Sequence, residues 1–295
     1  MFANTEKANS DIFIPESFYM PVITHIIRNA SIDRSSNFQP PLLLGIQGGA
    51  GMGKTFMVKE ICQKYNINLN TISSSDLSGS VEAAPRDKLK DVYTNACVQV
   101  AKDNVFSAIL IDDFHLSIAT DSELGKTVNS NILSSALMNL CDNPWLNNTR
   151  IPIIATGNNY QRLYGALVRA GRMDLLTWTP SSGEIISIVT RIFKLRFESL
   201  EDSLIIKLTE MYPNHSIAFF SQVAEDILLV NMNSVVNEFM QSGGRLDVVT
   251  LKNKISNSIS NIELTQDDIF EIAQRRANTV VADYENVSSN PNIVM

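Results

Sequence analysis

Between positions 42 and 178 the chain alternates two kinds of pattern. Short runs rich in apolar residues stand at 42–47, 68–73, 106–112, 151–156 and 175–178, and these predict strands. Longer segments at 54–65, 85–102, 125–141 and 160–170 carry apolar residues at helical spacing and predict helices. Strand–helix alternation of this kind implies a parallel five-stranded sheet covered on both faces. Upstream, 12–30 predicts a helix, followed by a loop at 31–39 and the Pro40-Pro41 break.

Past Thr179-Pro180 the alternation stops. Helices are predicted at 181–197, 202–211, 215–241 and 265–286, with Gly243-Gly244 marking a turn. One short strand is expected at 246–251, where Val248 and Val249 are β-branched. Ser181, followed three residues later by Glu184, has the spacing of a helix-starting capping box. The expected organisation is therefore an α/β domain over 12–180 and a smaller helical domain over 181–286. The ends, 1–11 and 287–295, are expected to be flexible.

Composition narrows the picture further. At 295 residues and 44% hydrophobic content the chain is long enough for two compact domains, and its longest apolar runs are too short to span a bilayer. The start of the chain lacks the basic-then-apolar pattern of a signal peptide, so a cytoplasmic location is the expectation. Three dispersed cysteines (Cys62, Cys97, Cys141) read as buried thiols in a reducing compartment, and three histidines offer little for a zinc site. With 24 basic and 31 acidic side chains the net charge is −7, and without a basic run this argues against a nucleic-acid partner.

The chemistry begins at 48–55, GGAGMGKT, between a predicted strand and a predicted helix. Gly48, Gly53, Lys54 and Thr55 meet the phosphate-loop pattern G-x-x-x-x-G-K-[ST], with further glycines at Gly49 and Gly51. Such a loop turns backbone N–H groups toward phosphate oxygens, which a Cβ would obstruct. Lys54 supplies positive charge to the phosphates and Thr55 a hydroxyl to Mg²⁺; Met52 and Phe56 complete the expected nucleotide-contacting set. The run Ala108-Ile109-Leu110-Ile111 ends in Asp112-Asp113. Two acids at the end of a buried strand need a metal or water to satisfy them. Asp112 is expected to serve Mg²⁺ and Asp113 to orient or deprotonate an attacking water. Thr156-Gly157-Asn158 closes the next strand, placing the Asn158 amide to hold that water from the other side. Arg169 and Arg172 then flank Gly171; alone they read as surface cations, but after these three elements they read as cations offered to a neighbouring subunit's γ-phosphate.

Other polar residues carry plainer expectations. His115 reads as a loop histidine and His215 as a helix-start residue. Trp145 and Trp178 read as packing residues, and Arg275-Arg276 as a solvated helix face.

Several stretches together resemble the Rubisco activases of plants and cyanobacteria, a branch of the AAA+ ATPases. They are Pro41-Leu-Leu-Leu-Gly-Ile-Gln-Gly-Gly, Ile151-Pro-Ile-Ile-Ala-Thr-Gly-Asn and Gly171-Arg-Met173. To these add Val128-Asn129 through Asp142-Asn143-Pro144, and Tyr212-Pro-Asn-His-Ser-Ile-Ala-Phe-Phe220. The resemblance covers roughly residues 12–284. It implies an AAA+ P-loop NTPase fold with a helical lid domain, ATP and Mg²⁺ as cofactors, and a hexameric homo-oligomeric ring with shared ATP sites. It further implies Rubisco as protein client, freed of inhibitory sugar phosphates, in the cytoplasm or in a plastid stroma. Loops 76–86 and 117–126 correspond to the family's two pore loops.

The chain differs from the family pattern at named places. Asp112-Asp113 stands where Asn-Asp is usual, His115–Ala119 replaces a D-A-G-A-G-R segment, and Ala224 occupies the position of the lid arginine called sensor 2. Two further readings stay open: a remodelling ATPase with another protein client, and an ATP-gated scaffold that hydrolyses weakly.

Overall fold

The structure is a computed structural model that describes residues 12–73, 84–114, 128–160, 165, 167–169, 171–243, 247–260 and 264–288. The chain divides into two compact units, one running to Thr179 and the other starting at Pro180.

The first unit is built on five strands: β1 (Leu43–Gln47), β2 (Asn68–Ile72), β3 (Ser107–Ile111), β4 (Ile153–Gly157) and β5 (Met173–Thr177). All pair in parallel, in the order β2-β3-β4-β1-β5. β3 and β4 are buried along their whole length, as their mainly apolar sequences predict. The edge strands β2 and β5 carry the mixed sequences and most of the exposure. Its helices among the described residues are α1 (Glu16–Ala30), α2 (Lys54–Lys64), α3 (Ala84–Asp103) and α4 (Val128–Asp142). Leu89, Tyr93, Cys97, Leu133 and Leu137 of α3 and α4 pack with Ile109, Ile111, Ile153 and Ala155 of the central strands in one core cluster.

A buried cation closes the bottom of this unit. Arg150 is 5% exposed and donates to Asn29 Oδ1 at 2.8 Å, to Gln39 Oε1 at 2.5 Å and to the Pro40 carbonyl. Three neutral acceptors thus satisfy a group that would be expensive to bury alone, and they pin the end of α1 to the start of β4. Burial pushes the three thiols up, Cys62 and Cys141 to about 12 and Cys97 to about 11, as expected of structural cysteines.

His25, on the buried face of α1, gives a testable pH dependence. Burial, with smaller contributions from Arg28 and Arg150, pulls its pKa down to about 4 from 6.5. The unfolded chain takes up this proton as pH falls through 6.5, whereas the folded chain resists until about 4. Stability is therefore lost as pH drops across that window, by about 2 kcal/mol between pH 7 and pH 5. Urea denaturation at the two pH values should show this loss, and His25→Gln should flatten it; an equal slope in the variant would refute the assignment.

The second unit contains α5 (Ser182–Lys194), α6 (Asp202–Met211), α7 (Ile217–Gln241), α8 (Val248–Ser260) and α9 (Gln266–Ser288). The capping box forms as its spacing predicts: Ser181 Oγ accepts from the Glu184 amide, and the Glu184 carboxylate accepts from the Ser181 amide. Val189, Phe193, Leu208, Phe220, Val223, Ile227, Ile269 and Ala273 form the core.

Four expectations need correction. Of the strand expected at 246–251, residues 248–251 are instead the start of α8. Asp247 accepts from the amides of Val249 and Thr250 at 2.9 and 3.0 Å and from the Thr250 hydroxyl at 2.6 Å. That capping outweighs the β preference of two valines, which have no strand to pair with and remain exposed. In 160–170, where a helix is expected, the described residues 165 and 167–169 form turns and bends. Arg276 is only partly solvated: it grips Asp226 through two N–H groups and ties α9 to α7, while Arg275 lies exposed, paired with Glu271. Finally, Ser216, and not His215, caps α7; the His215 ring packs between Tyr212 and Phe219.

Candidate functional site

Parallel pairing brings three strand ends together. β1 lies beside β4 with Gln47 opposite Gly157, and β3 lies beside β4 with Ile111 opposite Ala155. The residues just past β1 and β3 therefore emerge next to the last residues of β4. Order β3-β4-β1-β5 also makes β1 the point where the chain crosses to the other side of its starting strand. Open parallel sheets bind ligands outside the carboxyl ends of strands at such a place.

The loop after β1 is shaped by its glycines. Gly51 and Gly53 have φ of 70° and 76°, the left-handed region, and Gly53 is the residue preceding α2. Gly48 is required for another reason: a Cβ there would lie 2.3 Å from the Trp178 carbonyl oxygen, a backbone atom that cannot step aside. Among the described residues, the amides of 49–53 make no backbone hydrogen bond. They remain available as donors at the start of α2, where the helix end adds positive potential.

Lys54 is 8% exposed, and its ammonium donates to the carbonyls of Gly48 and Gly49, both at 2.8 Å, and to Asn158 Oδ1 at 3.2 Å. Burial lowers its pKa from the usual 10.5, while the charges of Asp113 and Asp112 act the other way. One oxygen of Asp112, Oδ1, accepts from Thr55 Oγ1 at 2.5 Å, from Thr156 Oγ1 at 2.7 Å and from the Asp113 amide at 3.0 Å. Among the described residues its other oxygen accepts no hydrogen bond. Thr55 and Asp112 thus present hard oxygen donors side by side, the donor set that Mg²⁺ prefers. No cluster of three His, Cys, Asp or Glu side chains occurs among the described residues. Asp113 turns away from the strand direction with φ of 50°, a left-handed conformation that costs a non-glycine residue roughly 1–2 kcal/mol, and its side chain is exposed.

The structure thus brings Gly48, Gly49, Gly51, Met52, Gly53, Lys54, Thr55, Asp112, Asp113 and Asn158 to one end of the sheet. It does not bring Arg169 or Arg172 there. Phe56, expected to touch nucleotide, is half exposed. His115 and the loop 117–126 lie outside the described residues; of loop 76–86, only 84–86 are described, as the first turn of α3.

Three contributors escaped the sequence reading. Thr156 supplies the second hydroxyl on Asp112, which only the β3–β4 register reveals. Gln47 takes the Tyr160 amide on Oε1 at 3.0 Å and gives a hydrogen bond to Thr177 Oγ1 at 3.0 Å, bridging the tops of β4, β1 and β5. Trp178, expected to pack, also donates from Nε1 to the Met52 carbonyl at 3.0 Å, while its ring meets Phe18 edge-on at 5.0 Å. It therefore braces the phosphate loop from behind.

Arg172 is occupied within its own chain, its Nε and Nη2 donating to the two oxygens of Asp142 at 2.9 and 2.7 Å. Arg169 is exposed and forms no ion pair among the described residues.

Comparison with known proteins matches residues 44–181 to the family described as ATPases associated with various cellular activities (AAA). Among whole proteins, ribulose bisphosphate carboxylase/oxygenase activase 2, chloroplastic, of Nicotiana tabacum is 29% identical over 228 residues, 74% of this chain and 51% of that protein. The activase of Vigna radiata var. radiata is 32% identical over 73% of this chain and 50% of its own length. That of Arabidopsis thaliana is 27% identical over 96% of this chain and 60% of its own. The chain spans about half the length of the curated relatives it matches. No helix among the described residues is long and apolar enough to cross a membrane.

Proposed function

The chain carries an ATPase domain of the AAA family, and from that premise we propose that it binds ATP with Mg²⁺, hydrolyses it, and uses the energy to remodel Rubisco. The carrying observation is the convergence of Lys54, Thr55, Asp112 and Asn158, drawn from three strand ends by parallel register.

In this reading the amides of 49–53 and Lys54 hold the phosphates, and Thr55 and Asp112 hold the metal. Mg²⁺, when bound, supplies positive charge to the phosphate oxygens. Asp113 holds the attacking water and takes its proton, its unusual backbone turn directing the carboxylate away from the strand. Asn158 keeps Lys54 in line through its side-chain oxygen.

Sheet geometry supports completion by a neighbouring subunit. The phosphate loop follows the C-terminal end of β1, whereas Arg172 stands at the N-terminal ends of β5 and β1, since the Leu43 amide donates to its carbonyl and its own amide donates to the Arg169 carbonyl. A five-residue strand spans about 16 Å. The two arginines therefore lie at the far end of the sheet from their own phosphate loop, and a ring of copies offers them a site to serve. Its similarity to activases supports Rubisco as the client, which would place the chain in a Rubisco-containing compartment such as a plastid stroma or a bacterial cytoplasm.

One observation favours a second reading, an ATP-gated scaffold with weak hydrolysis. Ala224, at the position of the family's lid arginine, is fully buried in the core of the second unit, where no cation can be offered.

The test is recovery of carboxylation by cognate Rubisco blocked with a sugar phosphate. Recovery that needs this chain and hydrolysable ATP is expected. ATP turnover with no recovery would reassign the client, and bound ATP without phosphate release would favour the scaffold.

A further inference from the structure

We propose that Asp142 is a positioning residue for the shared ATP site: it locks Arg172 in place, and the locked turn aims Arg169 at the neighbouring subunit's nucleotide. This rests on the ATPase reading above and separates the roles of two arginines that the sequence could only treat as equivalent.

Arg172 is held on three sides. Its guanidinium makes a two-pronged bond to both oxygens of Asp142, the last residue of α4. Its amide donates to the Arg169 carbonyl at 3.1 Å, closing a turn in which Gly171 adopts φ of 91°. Its carbonyl accepts from the Leu43 amide at 3.1 Å and lies 3.8 Å from Cys141 Sγ. A bidentate arginine–carboxylate pair fixes both distance and orientation. An arginine committed in this way serves as a post, not as a reaching group. Arg169, at the other end of the same turn, is exposed and belongs to no ion pair among the described residues, so it is free to extend into a partner.

The chain of attachment runs from α4 through Asp142 to Arg172, then through the Arg172 amide to the Arg169 carbonyl. Transition-state stabilisation by a cation depends on its position to within about 1 Å, so loosening the post should lower turnover without touching the neighbour's nucleotide pocket. Because the arginine leaves its own chain, damage at Asp142 should appear in the adjacent subunit's site.

The experiment measures steady-state ATP turnover, ADP affinity and thermal midpoint for Asp142→Ala, Asp142→Glu, Arg172→Ala, Arg169→Ala and the Asp142→Ala/Arg172→Ala double variant. Asp142→Ala and Arg172→Ala should each lower kcat roughly 10- to 100-fold, and the double variant should be no worse than either. Arg169→Ala should fall on the order of 10³-fold. ADP affinity should stay within about twofold in all of them, because each chain's own pocket is intact. Asp142→Glu should recover part of the loss, which a folding defect would not explain. Mixing Asp142→Ala chains with Lys54→Ala chains should restore turnover, since the latter lend a correctly posted Arg169 to the former's intact pockets. The proposal is overturned if Asp142→Ala turns over at the wild-type rate or faster while Arg172→Ala falls as far as Arg169→Ala, because Arg172 would then be the reaching group. A lack of recovery on mixing would also overturn it. A wild type no faster than Lys54→Ala would instead sink the ATPase reading, and this one with it.

Discussion

Lys54→Ala is expected to reduce ATP turnover by on the order of 10²–10³-fold or more, while the chain stays folded. The lysine ammonium sits at the mouth of the phosphate loop, held by the Gly48 and Gly49 carbonyls and by Asn158. Its burial keeps water from screening the charge, so its attraction for phosphate is strong. The same burial means that removal takes the ammonium donor away from two loop carbonyls and from the Asn158 oxygen. The loop should therefore loosen, and nucleotide affinity should drop along with kcat. Phosphate release and fluorescent-nucleotide titration check the two effects separately. Equal turnover in variant and wild type would show that any hydrolysis arises elsewhere.

Asp113→Asn is the second large effect, and it should separate binding from chemistry. Asn has the same shape and tolerates φ near 50° as well as Asp does, so the backbone turn should survive. What disappears is the charge and the ability to accept a proton. Loss of a positioned general base lowers rates by roughly 10²- to 10⁴-fold. Binding of ATP should persist, since the amides of 49–53, Lys54, Thr55 and Asp112 are untouched. A variant that binds ATP and hydrolyses it at the wild-type rate would remove Asp113 from the mechanism and leave Asn158 as the candidate for positioning the water.

Local chemistry made much of this legible beforehand. GGAGMGKT needs no tertiary information to be read, because glycine spacing and the adjoining lysine and threonine carry their own physical reason. The apolar runs of β3 and β4 likewise announce strands buried on both faces. Reading failed where local preference and capping pulled in different directions. Val248 and Val249 suggested a strand, yet Asp247 supplied hydrogen bonds that start a helix. Arg275 and Arg276 look alike in sequence, and only the approach of α7 gives one of them a carboxylate.

The sequence by itself determined the fold class and the nucleotide-binding chemistry. Short apolar runs against segments of helical spacing, and a loop whose glycines are compulsory, are properties of neighbouring residues. Only the tertiary structure decided which distant groups complete the site, because strand register is a relation between segments far apart in the chain. That register put the Thr156 hydroxyl on Asp112 and the Trp178 indole behind the phosphate loop. It also set Arg169 and Arg172 at the opposite end of the sheet from their own Lys54, and packing gave Arg172, but not Arg169, a carboxylate to hold.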